Sequence, residues 1–209
     1  MPKRDSLRDT IVDAAIALAE ESSWEAVRLH EVASRLGITL DDIRQHFREK
    51  EDLVDAWFDR ADQAMLREAQ AADFATASSR QRLCRLVMAW LDALAPHRKV
   101  TRQMIAGKFE FGHVHIQFPG LMRVSRTVQW MREAAGRKAT FLRRALEETA
   151  LTTIYLATFF HWMKDGSQES ASTRRFLDRK LALAERLDHG VYRCGTRPTA
   201  TPVPDEPTL

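Results

Sequence analysis

Cysteine is nearly missing from this chain: Cys84 and Cys194 are the only two in 209 residues, far apart and without metal or redox spacing. So few exclude a disulfide scaffold and point to a reducing, cytoplasmic compartment. A glycine-rich phosphate loop is absent, as are a nucleophile elbow and paired Cys/His ligands. The carboxylate pairs Asp41-Asp42 and Glu147-Glu148 are sequence neighbours, so on a helix they point to different sides and cannot serve one reacting atom. These gaps predict no enzyme, no cofactor and no metal centre. Alternating strand patterns bounded by turns are missing too, which leaves an all-α class. The longest apolar run, Ala150 to Met163, is too short to cross a membrane. The polar start MPKRDSLRDT is no signal peptide. A formal net charge of +3 is too small to imply nucleic acid by itself.

What is present centres on Leu29 to Leu53, LHEVASRLGITLDDIRQHFREKEDL. Val32, Leu36, Ile43 and Phe47 are spaced to pack two short helices against each other. Gly37 stands at the corner, where a left-handed residue is needed. Thr39 is the expected cap of the second helix, with Asp41 and Asp42 in its first turn, where the helix dipole favours negative charge. Two short helices about a glycine turn form the helix-turn-helix pattern, though an ordinary helical hairpin would read the same on spacing alone. In the DNA-binding version the second helix enters the major groove. That places Thr39, Leu40 and Arg44 nearest the bases.

The same stretch resembles the DNA-binding domain of TetR/AcrR-type regulators. The matching residues are Ser23-Trp24-Glu25-Ala26-Val27, Val32 through Thr39, His46-Phe47 and Lys50-Glu51-Asp52-Leu53. The resemblance implies a regulator with operator DNA as partner, and phosphate contacts from Arg28, His46 and Lys50. Arg44 stands where the family usually has tyrosine, and Leu40-Asp41 where it often has lysine and glycine. The charge runs against the motif: residues 1–52 hold eight Lys/Arg against twelve Asp/Glu, a net of −4. A DNA-binding domain ordinarily shows a basic footprint. Gathering Arg28, Arg44, His46, Arg48 and Lys50 on one face would supply it.

Periodicity predicts further helices over 5–21, 51–72, 80–94, 98–109, 121–135, 140–164 and 172–187. Asp165-Gly166-Ser167 is expected to stop one of them with glycine. The helix from residue 51 would join a DNA-binding domain, residues 1–53, to a helical ligand-binding and dimerisation domain, residues 54–190. The proline-rich 191–209 is expected to be a disordered tail. The segment Phe109 to Pro119, FEFGHVHIQFP, reads as a loop over an apolar cavity. His113 and His115 lack a third ligand nearby, so a metal pair is disfavoured. Trp90, Met104, Phe109, Phe111, Phe118, Met122, Trp130, Tyr155 and Phe159 are the candidate lining of a pocket for an apolar small molecule. A surplus of apolar residues on the last two helices predicts a homodimer joined by a four-helix bundle, with Phe159, Trp162, Phe176 and Leu181 as interface candidates.

Residues 126–187 resemble the C-terminal domain of the ubiquinone-biosynthesis accessory proteins. The matching pieces are Gln129-Trp130, Ala135-Gly136, Arg143 to Leu146, Thr153-Ile154-Tyr155 and Asp165-Gly166-Ser167 to Thr173 through Arg179. That resemblance implies a TetR-like fold that binds an isoprenoid or other lipid without acting on DNA, with peripheral membrane contact. Two functions follow: a ligand-responsive DNA-binding regulator sensing a lipid-like molecule, or a lipid-binding accessory protein of quinone biosynthesis. The retained helix-turn-helix residues favour the first.

Overall fold

The computed structural model describes residues 6–108, 114–137 and 139–195. Every regular element among them is helical. The order is α1 (Ser6–Glu21), α2 (Leu29–Leu36), α3 (Leu40–His46), α4 (Lys50–Glu68), α5 (Ser79–Leu94), α6 (Arg98–Lys108), α7 (Val114–Ala134), α8 (Phe141–Lys164) and α9 (Ala171–Gly195). One-turn 3-10 segments precede α6 and α9.

The small N-terminal unit closes on Ile11, Ala15 and Ala19 of α1, Val32 of α2, Ile43 of α3 and Phe47, all nearly inaccessible to solvent. Gly37 ends α2 at φ +65, and Gly37 and Ile38 return their N–H groups to the carbonyls of Ser34 and Ala33. A side chain at Gly37 would meet nothing within 4 Å, so the backbone angle alone calls for glycine. The long α4 leaves this unit and packs along α5. Phe58 stacks on Trp90 at 5.7 Å, and Trp90 takes Tyr155 and Phe159 of α8 edge-on at 5.3 and 5.7 Å. Offset and edge-on rings fill space efficiently and fix the crossing of α4, α5 and α8.

Hydrogen bonds to α6 help tie the N-terminal unit and the start of α4 to the rest. Trp24 donates its backbone N–H to Gln103 of α6 at 2.8 Å, and Trp57 donates its indole N–H to Thr101 at 3.0 Å. On α4, Arg60 binds Asp13 at 2.5 Å and the Asp9 carbonyl at 2.7 Å, fastening α1 to α4.

Three expectations change. The helix α7 begins at Val114, not Leu121, and runs through Pro119-Gly120. A proline inside a helix forfeits one hydrogen bond, and the surrounding fold can carry that loss. The side chains of residues 107–122 lie outside the described set, and with them His113, His115, Phe109, Phe111, Phe118 and Met122. At the end of α8 the stop is not made by Gly166. The Asp165 carboxylate accepts from the N–H groups of Ser167 and Thr173, both at 2.8 Å, and from the Thr173 hydroxyl at 2.6 Å. Finally, α9 continues past Gly190 to Gly195; residues 196–209 lie outside the described set.

Candidate functional site

The second helix of the motif, α3, is held by a reciprocal cap. Thr39 donates its hydroxyl and its backbone N–H to Asp42 Oδ2 at 2.7 and 2.8 Å, and its oxygen accepts from the Asp42 N–H at 3.1 Å. These bonds hold the Asp42 carboxyl below its ordinary range, the Thr39 hydroxyl first among the causes. The device repeats. Glu31 accepts from the Arg28 N–H at 3.2 Å to open α2, and Asp52 accepts from the Arg48 and Glu49 N–H groups at 2.7 and 3.3 Å to open α4. Three of the twelve acids are thus capping-box residues turned onto backbone donors. Asp9 and Asp13 hold Arg60, Glu20 meets His97 at 3.1 Å, and Glu21 pairs with Arg35 at 2.7 Å. The acidic count reflects internal wiring more than an acidic DNA face, a distinction that composition cannot make.

Leu40 is 52% exposed at the start of α3. Arg44 is exposed and paired to Asp41 at 3.2 Å. Arg28 and Arg48 are exposed, and His46 is half-buried. Lys50 differs from the expectation of a free phosphate contact. Its Nζ donates to the carbonyls of Trp24 and Glu25 at 2.5 and 3.1 Å, and lies 5.1 Å from the centre of the Trp24 ring. Desolvation first, and the Arg28 charge second, push its ammonium below the ordinary range. As placed, Lys50 staples the start of α4 to the loop before α2. The Thr39 hydroxyl is likewise committed to its cap.

Farther up α4, the Asp62 carboxylate accepts from the Trp90 indole N–H at 2.8 Å and the Thr127 hydroxyl at 3.0 Å. Arg123 of α7 reaches Asp62, Asp59 and Asp55 at 3.3, 2.9 and 3.7 Å.

Of the expected pocket residues, Phe109, Phe111, Phe118 and Met122 lie outside the described set, and the other five are not among the residues that border the cavity found here. Trp90, Met104, Tyr155 and Phe159 are packed core, at 5% exposure or less, and the three rings interlock with one another and with Phe58 and Trp162. Trp130 is half exposed on α7. A cavity of about 1050 Å³ lies instead among α5, α7, α8 and α9. Its apolar wall includes Leu83, Leu146, Ala150, Leu151, Ile154, Leu181 and Ala184, with the exposed Leu142 and Leu187 at its open mouth, and its polar edge includes Arg80, Arg132, Arg137, Arg143, Glu147 and Glu185. Leucine and alanine spacing on α8 and α9 carried this signal; it was obscured by the more conspicuous aromatics. The interface candidates Trp162 and Leu181 are buried within the chain, at 0% and 4% exposure, because α5, α8 and α9 close over them. Phe176 is half-buried, stacked on His161 at 4.6 Å. Among the described residues no group of His, Cys, Asp and Glu is placed to hold a metal, and no helix is long and apolar enough to cross a membrane.

Comparison with known proteins agrees with this arrangement. Residues 11–57 match the family of bacterial regulatory proteins, tetR family, and residues 121–188 match the COQ9 family. A solved TetR transcriptional regulator from Nitrosomonas europaea is 56% identical, with a TM-score of 0.79 over 87% of this chain and 99% of that one. A second, from Rhodococcus, shares the fold at 22% identity, with a TM-score of 0.64 over 87% of this chain and 97% of that one. No curated protein matches the chain.

Proposed function

We propose that this chain, which belongs to the tetR family of bacterial regulatory proteins, regulates transcription as a homodimer whose hold on operator DNA is released or strengthened by an apolar or lipid-like ligand. The observation that carries the DNA-facing part is the rigid presentation of α3. Its cap is closed at both ends of the Thr39–Asp42 pair, its start exposes Leu40, and exposed cations stand on it and beside it at Arg28, Arg44 and Arg48. A pre-ordered helix with cations at its flanks suits a major groove bounded by phosphates.

Dimerisation is supported by a stripe on the outer faces of α8 and α9. Leu142, Phe160, Leu183 and Leu187 are 75%, 44%, 52% and 63% exposed, and the exposed Thr149 and Thr153 continue the row on α8 at helical spacing. Large apolar groups left in water on two adjacent helices are what a symmetric bundle would cover. Trp162 and Leu181 have no part in this seam.

A ligand response needs a path, and α7 supplies one. Arg132 of α7 borders the cavity, while Arg123 of the same helix grips three carboxylates of α4. Nine residues of helix separate them, roughly 14 Å at the usual rise. A small shift of α7 at the cavity would therefore be felt by the helix that carries the DNA-binding unit. The match of residues 121–188 to the COQ9 family supports the rival reading of a lipid-binding accessory protein. A gel-shift with the DNA upstream of its own gene, at low and moderate salt, separates the two. Saturable retardation that fades as salt rises is the expected result; no retardation at low salt would leave the accessory reading in its place.

A further inference from the structure

The cavity among α5, α7, α8 and α9 has two chemically different ends. One is a wall of aliphatic side chains, among them Leu146, Leu151, Ile154 and Leu181. The other is an arginine cluster around two carboxylates. Glu147 faces Arg132, Arg137 and Arg143 at 3.7, 2.7 and 3.5 Å, and Glu148 faces Arg132 and Arg144, both at 2.9 Å. Four guanidinium groups against two carboxylates leave a surplus of positive charge at that end.

Arg132 is the informative member. It is 2% exposed, it borders the cavity, and its Nε has no hydrogen-bond acceptor among the protein atoms. A buried donor without a partner is costly to leave so, and guanidinium is built to take a carboxylate. The volume, about 1050 Å³, stands at the upper end of small-molecule sites, roughly 300–1,000 Å³. Among the described residues no aromatic side chain lines it, which suits a flexible aliphatic chain better than a flat ring system.

We propose that this cavity binds a single-chain amphiphile with an anionic head, of the long-chain carboxylate class. The chain lies along the α8–α9 leucines and the carboxylate is received by Arg132 and Arg137. This rests on the ligand-responsive reading above and names the ligand class for it. Leu142 and Leu187 of the stripe assigned to the second copy also line this cavity, so its mouth adjoins that stripe, while Leu151, Ile154 and Leu181 lie deeper within the chain.

The test is equilibrium binding to the full-length protein of hexadecanoate and hexadecanol, by displacement of a fluorescent fatty-acid probe. Hexadecanoate should bind saturably and about tenfold more tightly than the alcohol, the factor that one charge-assisted pair is able to supply. Arg137→Gln, at a partly exposed position, should erase the preference while keeping the fold by thermal melting. Arg132→Met should do the same if it folds. Ala150→Trp, which fills the apolar part from an exposed position, should abolish binding of both compounds without changing the sedimentation coefficient. Equal affinity for acid and alcohol, or no saturable binding of either, overturns the proposal. So does an Ala150→Trp variant that binds normally but sediments differently, which would make the groove a subunit contact. DNA release is read separately. Hexadecanoate bound without effect on DNA leaves this site standing and removes the ligand response. DNA released by other compounds, with hexadecanoate inert, does the reverse.

Discussion

Arg123 on α7 and Asp62 on α4 meet at 3.3 Å, with side chains only 12% and 15% exposed. Among the described residues the pair is the most enclosed ion pair between the helix that carries the DNA-binding unit and the ligand-side helices. Burial pushes the Asp62 carboxyl above its ordinary range, against the lowering effects of the Trp90 indole, Arg123 and the Thr127 hydroxyl. Removing the cation while keeping the carboxylate should therefore be expensive. Arg123→Met is expected to cost about 3–5 kcal/mol in urea unfolding, and Asp62→Asn to recover part of that loss in the double variant. Additive losses would show that the two residues act separately.

The same carboxyl has a pH signature. A group whose folded value is raised contributes stability below its unfolded value and loses it as pH rises through the folded one. Wild type should lose stability relative to Asp62→Asn as pH climbs upward from the ordinary carboxylate range. Melting temperatures of the two proteins across that window check the sign, and parallel curves would refute it.

Asp165 behaves oppositely. Its bonds to Ser167 and Thr173 depress its carboxyl well below the usual range. Its stabilising effect is present above the unfolded value and lost as pH falls. Asp165→Asn should cost about 1–2 kcal/mol at neutral pH, a modest figure because solvent screens the site. The gap between the variants should close progressively in acid. Thermal melts at neutral and acid pH measure it.

These carboxylates also show where sequence reasoning reached and where it stopped. The helices, the Gly37 corner and the Thr39 cap were legible, because periodicity and capping are local codes. The role of Asp165 was assigned to the neighbouring Gly166, since a glycine after a helix is the commoner stop signal. The acidic count of the first 52 residues looked hostile to DNA because composition cannot distinguish a carboxylate facing solvent from one turned onto a helix N-terminus. The aliphatic cavity was overlooked for a related reason. Trp90, Tyr155 and Phe159 drew notice by size, yet large rings fill space, whereas the empty space is bordered by leucines on two helices distant in sequence. Lys50 could have been suspected as a staple only by knowing that Trp24 would lie beneath it.

The seam predicted between copies follows from exposure. Phe160→Glu and Leu183→Glu each place a charge on the outer face of α8 or α9 without entering the chain's own core. Both should shift sedimentation at micromolar concentration from dimer toward monomer, while the melting of the isolated chain changes little. Trp162→Phe, inside the protomer, should instead lower the melting temperature. A wild-type protein that sediments cleanly as a monomer would remove the seam.

The last expectation concerns DNA and separates residues that composition lumps together. Arg44 is exposed but held by Asp41 at 3.2 Å, so the arginine is available only once that pair opens. An exposed ion pair on one helix is weak, and a phosphate or guanine edge can replace the carboxylate. Asp41→Asn should therefore tighten binding to all sequences by freeing Arg44 and removing a repelling charge. Asp42→Asn should behave differently, because Asp42 closes the cap of α3; it should melt earlier and bind no better. If Arg44 reads a base, Arg44→Ala should cost about 1–3 kcal/mol and relax specificity at one position. If it touches phosphate only, the variant should weaken every sequence alike and lower the salt slope by about one unit. Lys50 is predicted to follow neither pattern. Its ammonium already holds the Trp24 and Glu25 carbonyls, so Lys50→Ala should lower the stability of the small unit more than it changes the salt slope. Shift assays at several salt concentrations, with a thermal melt of each variant, distinguish the three outcomes. A salt slope that falls by a full unit in Lys50→Ala, with unchanged melting, would return Lys50 to the phosphate backbone and refute its role as a staple.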